Sequence, residues 1–203
     1  MKEGAKKQRG LRVKSAAKEI AYLALSVAII TVCAWITIPV GTIPVTLQTF
    51  AVALIGALFG VVRGTAALFV YLIMGLVGIP VFSSFNGGVT ALLGPTGGYI
   101  LGFLFDVAIV GIFSNISLQN KVAKTALLYF GMILAMAVCY FFGTLWFITV
   151  YSGGGAIGVG AALMLCVVPY LLPDAIKLFI AAVLGVRLKP YLKLTRKKQK
   201  NPQ

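Results

Sequence analysis

Apolar residues run along this chain in blocks too long for strands or for one-sided surface helices. The first block extends from about Ile20 to Ile38 and stops at Pro39, with Gly41 and Pro44 marking a loop. The next extends from Phe50 to Ile79 and is interrupted by Arg63-Gly64. The interruption predicts two short helices of about 13 and 15 residues, each about 20–23 Å long and shorter than a hydrocarbon core. Such helices must be bent, extended by their flanks, or set against a cavity or thinned bilayer. A Gly/Pro/Asn segment from Pro80 to Gly98 follows. It is too polar to span, and its Phe82, Phe85, Leu92 and Leu93 need cover, so a loop folded back over a site is expected. Further spans are predicted from about Gly98 to Phe113 and Ala126 to Val150, then a turn at Gly153-Gly154-Gly155. Pro169 and Pro173 break the last apolar segment. The final helix is expected to start near Pro173, which suits a first helical position, and to end near Arg187.

These blocks make the chain an all-α integral membrane protein with six transmembrane helices. Of its 203 residues 60% are hydrophobic and 11% charged, where a soluble domain has roughly 45–50% and 25%. The net charge of +14 is concentrated at the two ends. Lys2, Lys6, Lys7, Arg9, Arg12, Lys14 and Lys18 precede the first block, and Arg187, Lys189, Lys193, Arg196, Lys197, Lys198 and Lys200 follow the last. Residues 1–19 and 188–203 are therefore expected to be basic cytoplasmic segments around a membrane domain of residues 20–187. The turns at Arg63 and at Lys121/Lys124 then also fall inside. The loops at Pro44, Asn86 and Gly154, without Lys or Arg, fall outside. Basic clusters beside apolar spans, with no aromatics interleaved on a basic face, argue for a lipid bilayer and against nucleic acid. The first block exceeds a signal-peptide core and is followed by more spans, so no cleaved signal is expected. Cys33, Cys139 and Cys166 lie in apolar runs without CxxC spacing and read as buried small hydrophobes.

The chemistry narrows further. With no histidine and four acids (Glu3, Glu19, Asp106 and Asp174), histidine-based metal sites and catalytic triads are excluded, and no GxxxxGK[ST] loop occurs. No catalytic residue, metal or cofactor is expected, and the chain is not read as an enzyme. Asp174 and Lys177 share a helix face at i and i+3. If the helix starts at Pro173, Asp174 sits in its first turn, where the dipole favours a carboxylate. A lysine within a span costs about 2.5–3.5 kcal/mol on insertion scales. The pair is thus either a self-neutralising packing element or, preferentially, a polar clamp for a ligand entering from outside. Asp106 lies seven residues after Tyr99, on the same face, and either hydrogen-bonds another helix or serves a role the sequence leaves open. Asn86-Gly-Gly offers an amide and backbone N–H groups, and from composition alone reads as a turn. Ala17, Ala21, Ala24 and Ala28 form one small-residue stripe, suited to close approach of another helix, within this bundle or from a partner.

Pro44-Val-Thr-Leu-Gln-Thr49, Gly78-Ile-Pro-Val-Phe82, Asn86-Gly-Gly88, Leu93-Gly-Pro-Thr-Gly-Gly-Tyr99 and Pro173-Asp-Ala-Ile-Lys177 resemble, in order, motifs of the BioY family. These are the biotin-specific substrate-binding (S) components of energy-coupling-factor (ECF) transporters. The resemblance implies a six-helix S-component fold in a bacterial cell membrane, with both termini cytoplasmic. Biotin would be captured beneath the outer loops. Mapped by motif, Asn86, Tyr99, Asp174 and Lys177 would line the site, with Gln48 and Thr46 nearby and Phe82, Val81 and Tyr99 as apolar walls. Biotin's ureido ring has two N–H donors and one carbonyl, suiting an acceptor such as Asp174 and donors such as Asn86 or Lys177. Which end of biotin meets Lys177 stays open. The resemblance also implies a transmembrane coupling subunit and two cytoplasmic ATPases as partners, docking on Ala24 and Ala28. The alternatives are a solitary biotin transporter, an S component for another small vitamin, and a non-transport scaffold or lipid-handling protein.

Overall fold

The computed structural model describes residues 2–40, 43–151 and 157–192, with side chains from Ala16 onward. Gly41, the turn at Gly153-Gly154-Gly155 and the basic tail from Lys193 lie outside the described residues. Helix α1 (Lys2–Trp35) carries the basic segment and the first span on one rod, its apolar portion being Ala16–Trp35. It ends three residues before the expected limit. Thr37 and Ile38 leave the helix as strand β1 (Thr37–Ile38), pairing antiparallel with β2 (Val45–Thr46). The exchange satisfies, in the outer loop, backbone groups that a helix end would leave open.

Helix α2 (Gln48–Leu76) is one element only by continuous hydrogen bonding. Gly60 within it has φ 73° and ψ −171°, a conformation essentially reserved for glycine. The chain folds back there. The Gln48 side chain meets Tyr71 Oη at 3.0 Å, whereas residues so far apart on a straight helix would be separated by about 34 Å. The two short helices expected from the sequence are thus the arms 48–59 and 61–76 of a tight hairpin. The break falls at Gly60 rather than at Arg63-Gly64, because reversal requires a positive φ and not a charge. Arg63 instead begins the second arm and grips Glu19 of α1 with both Nε and Nη2 at 2.6 Å, a bidentate tie across the inner end.

A loop containing a 3-10 turn (Ser83–Phe85) and the short helix α3 (Val89–Leu93) leads to α4 (Gly97–Asn115). Helix α5 (Lys121–Val150) begins five residues before the expected start, because Asn120 caps it. The Asn120 side chain accepts from the Val122 and Ala123 N–H groups. The last apolar segment is a broken span: α6 (Val159–Cys166) and α7 (Val168–Leu188) meet at 43° across Val167. Here the expectation for Pro173 is corrected. It lies inside α7, whose first turn holds Pro169 instead. A membrane helix tolerates an interior proline when its neighbours satisfy the freed carbonyl. Asp174 is accordingly not in the first turn, and the helix dipole is not what holds it.

Counting α2 as two passes and α6–α7 as one, six passes cross the membrane. The core is the hairpin flanked by α4, α1 and α7, with α5 closing over α4 and α7. Ile30, Ile55, Leu68, Val107, Val110 and Leu178 are almost or fully buried within it. Leu25, Phe69, Phe130, Phe141 and Ile180 face outward, as a lipid-facing surface requires. Cys139 and Cys166 are buried free thiols and Cys33 is half-buried. The Gly60 turn gives a direct check. Gly60→Ala forces a side chain into a glycine-only conformation and is expected to cost about 1–3 kcal/mol. Detergent-solubilised protein should therefore unfold at a lower temperature, measured by tryptophan fluorescence.

Candidate functional site

The outer ends of the first α2 arm, α4, α5 and α7 do not meet flush. They leave a narrow, half-open cleft of about 70 Å³. Its polar centre is Asp174, 5% exposed. Three side chains converge on it, from α2, α5 and α7. Thr49 Oγ1 donates to Asp174 Oδ1 at 3.1 Å, Tyr140 Oη to Oδ2 at 2.6 Å, and Lys177 Nζ to Oδ1 at 2.8 Å. Lys177 Nζ also donates to the Thr46 carbonyl at 2.8 Å. The pair is therefore a charge-neutral unit spread over α7, α5, the first arm of α2 and the β2 strand. Leaving either charge alone at this depth would cost several kcal/mol. The remaining wall is apolar: Ile100, Phe103, Met136 and Cys139 face the cleft alongside Tyr99.

Of the residues named from sequence, Thr46, Gln48, Tyr99, Asp174 and Lys177 all line this cleft. Thr46 Oγ1 accepts from the Gln48 N–H at 3.2 Å, holding the strand against the start of α2. Tyr99 shares a hydrogen bond with Thr144 at 3.2 Å. Its ring lies so close to Gly143 that a Cβ there would sit 2.3 Å from it, so this glycine makes room for the tyrosine. Asn86 is not brought in. It is exposed on the outer loop, and that loop lines the cleft through Ser83. Val81 and Phe82, expected as walls, are buried behind it. The Val81 carbonyl accepts from Tyr71 at 2.9 Å, and Phe82 packs edge-on against the Tyr71 ring. Phe85 and Leu93, expected under cover, are 63% and 58% exposed.

The Asn86 loop is under strain. Ser84 and Phe85 have φ of 56° and 57°, left-handed backbone costing each non-glycine residue about 1–3 kcal/mol. Trp35 holds it down: its indole N–H donates to the Pro80 carbonyl at 2.8 Å and its ring stacks on Phe85 at 4.9 Å.

Asp106 is wholly buried on α4, and neither carboxylate oxygen has a hydrogen-bond partner. Of the two readings the sequence left open, a bond to another helix is not the one seen. Among the described residues no cluster of His, Cys, Asp or Glu is placed to hold a metal ion.

Sequence reasoning passed over Thr49, Tyr140 and Tyr170. Tyr170 lines the cleft, and its hydroxyl reaches the carbonyls of Ile43 and, at 3.1 Å, Val40. One signal was available: Tyr170, Asp174 and Lys177 stand at i, i+4 and i+7, a polar stripe on an otherwise apolar helix. Thr49 and Tyr140 carry no such local mark.

The outward alanines settle one alternative. Ala17, Ala21, Ala24 and Ala28 are all exposed, while Val27, Ile30 and Ala34 turn toward the hairpin. The stripe is not used inside this bundle.

The model of the BioY family matches residues 5–194. A probable biotin transporter BioY of Pyrococcus horikoshii is 34% identical over 173 residues, covering 85% of this chain and 97% of that protein. The biotin transporter BioY of Thermotoga maritima is 37% identical over 168 residues, covering 80% and 90%. The crystal structure of the S-component for biotin from an ECF-type ABC transporter superposes with a TM-score of 0.76 at 26% identity, over 87% of this chain and 93% of that one.

The polar centre makes its own prediction. Tyr140→Phe removes one donor to a carboxylate with little change of shape. It should lower stability by about 1.5 kcal/mol, the lower end for charged hydrogen bonds because the cleft is partly open. Thermal unfolding in detergent reads this directly.

Proposed function

The chain belongs to the BioY family, and from that membership we propose that it is the biotin-binding S component of an ECF uptake transporter, capturing biotin in the outer cleft. The observation that carries this is the Asp174–Lys177 unit at the floor of a cleft with apolar walls. Biotin's ureido ring needs an acceptor for its N–H groups and a donor for its carbonyl. Asp174 supplies the first; Lys177 and Gln48 supply the second. Thr46 fixes Lys177 through its carbonyl, and Tyr99, Phe103, Ile100 and Met136 take the thiophane ring and valeryl chain. Asn86 belongs to this site as a rim residue. It lies three positions after Ser83, on a loop whose strained backbone at Ser84 and Phe85 favours a second arrangement, and binding moves it inward.

Because the Asp174–Lys177 unit is neutral before the ligand arrives, binding exchanges hydrogen bonds rather than exposing a bare charge. That exchange favours a ligand with matched donors and acceptors over one that merely carries charge. The chain has no nucleotide-hydrolysing loop, so energy for import comes from partners: a transmembrane coupling subunit and two cytoplasmic ATPases in the plasma membrane. The outward stripe of Ala24 and Ala28 is the docking surface for the coupling subunit, since small residues permit close helix approach.

Titration of the detergent-purified protein with a vitamin panel tests specificity. Biotin should bind far more tightly than thiamine or riboflavin, and tighter binding of either would refute the assignment. Asp174→Asn and Lys177→Ala should each weaken biotin by about 30-fold or more, because each leaves its partner's charge uncompensated. Wild-type affinity in both would rule out the clamp. Ala24→Leu with Ala28→Leu should abolish copurification of the ATPases while leaving biotin affinity unchanged. Retained copurification would place the docking surface elsewhere.

A further inference from the structure

The inner ends of α5 and α7 also diverge, leaving a second hollow far from the vitamin cleft. It is a groove of about 960 Å³ with largely apolar walls. Val183 on α7 lines it, and Tyr129 on α5 and Phe179 on α7 meet there edge to face at 5.7 Å and 90°. Lys121 at the start of α5 and Arg187 at the end of α7 stand in its wall, with Tyr191 beyond them. Both cations are exposed, and neither forms an ion pair among the described residues. Among the described residues no acid is close by. Glu19 is held by Arg63, Asp174 sits at the outer end, Asp106 is inside the core, and the Glu3 side chain is outside the described residues. The neighbouring lysines are turned away: Lys124 and Lys189 both donate to the Ser114 carbonyl, at 3.0 and 2.7 Å.

We propose that this groove binds an anionic glycerophospholipid of the inner leaflet, with its phosphate between Lys121 and Arg187 and an acyl chain along Val183 and Phe179. Three features converge on that occupant. The topology puts Lys121 and Arg187 at headgroup depth on the cytoplasmic side, where anionic lipids concentrate. The walls above them are apolar, which suits a chain and not a soluble phosphate. Tyr191 is an amphipathic ring at the same level, as interfacial anchors are. A second copy of this protein is disfavoured, because two chains of net charge +14 would bring their basic ends together.

The test uses full-length protein in neutral detergent, titrated with dioleoyl phosphatidylglycerol or dioleoyl phosphatidylcholine, with bound lipid counted by native mass spectrometry. Phosphatidylglycerol should be retained in preference to phosphatidylcholine. Each cation contributes about fivefold near an anionic surface, so Lys121→Gln with Arg187→Gln should weaken phosphatidylglycerol about 30-fold. Val183→Trp keeps both charges but fills the groove, and should also lose the lipid. Equal retention of the two lipids would overturn the proposal, as would unchanged phosphatidylglycerol binding in either variant. Unchanged biotin titration in both variants shows that they are folded and keeps this test separate from the vitamin site.

Discussion

An ammonium and a carboxylate held inside a membrane must neutralise each other, and the outer half of this molecule is organised around that requirement. Asp174 and Lys177 stand one turn apart on α7, close enough to pair, but one pair cannot satisfy two groups with several hydrogen-bonding positions. The rest comes from elsewhere in the fold. Thr49 brings the first hairpin arm, Tyr140 brings α5, and the Thr46 carbonyl brings the β2 strand. Each contact fixes one element of the cleft wall. The same network that makes the charges tolerable in lipid therefore shapes the cavity and leaves its polar atoms in one orientation.

The hairpin of α2 makes this convergence possible. Arms 48–59 and 61–76 are shorter than a typical hydrocarbon core is thick, and this shortness brings Gln48 and Thr49 to the depth of Asp174. Gly60 sets the turn, and the Arg63–Glu19 tie holds the turn against α1. At the outer end Gln48 meets Tyr71, so the arms are joined at their tips as well as at their turn. Tyr71 in turn reaches the Val81 carbonyl and anchors the start of the outer loop. A single path of contacts thus leads from the inner turn to the loop above the cleft. Val81 and Phe82 matter to the site by supporting that path rather than by facing a ligand.

Most of the fold is legible in the sequence because the bilayer imposes length and charge rules that single residues report. Long apolar runs mark the passes, and the placement of lysine and arginine orients them. The errors arise where one residue type admits two roles. Arg63 is the conspicuous polar break in its block, yet the reversal needs a positive φ, which Gly60 supplies three residues earlier. Pro173 suits a helix start, yet it is accommodated inside α7 because Pro169 already occupies the first turn. Within the cleft, Asp174 and Lys177 are legible because their partnership is local. Tyr140 and Thr49 are not, because their bonds to Asp174 cross 34 and 125 residues of chain. Asn86 is conspicuous in sequence for the opposite reason. A polar residue flanked by glycines marks a loop, but which way a loop residue faces depends on backbone strain that sequence does not reveal.

The two ends of the molecule solve the charge problem in opposite ways, and this separation matters for its role. Outside, the charges are few, paired and enclosed, so a ligand must replace specific hydrogen bonds to reach them. Inside, the sequence places many cations and few acids, and among the described residues Lys121 and Arg187 are exposed without an ion pair, where water, headgroups and anionic lipid can satisfy them. A body with a neutral recognition end and a cationic anchoring end has a strongly preferred orientation at rest. Any reorientation in the membrane would have to draw the basic end away from the anionic leaflet, which opposes it. The exposed alanine stripe on α1 runs between these ends, outside the packing of the bundle.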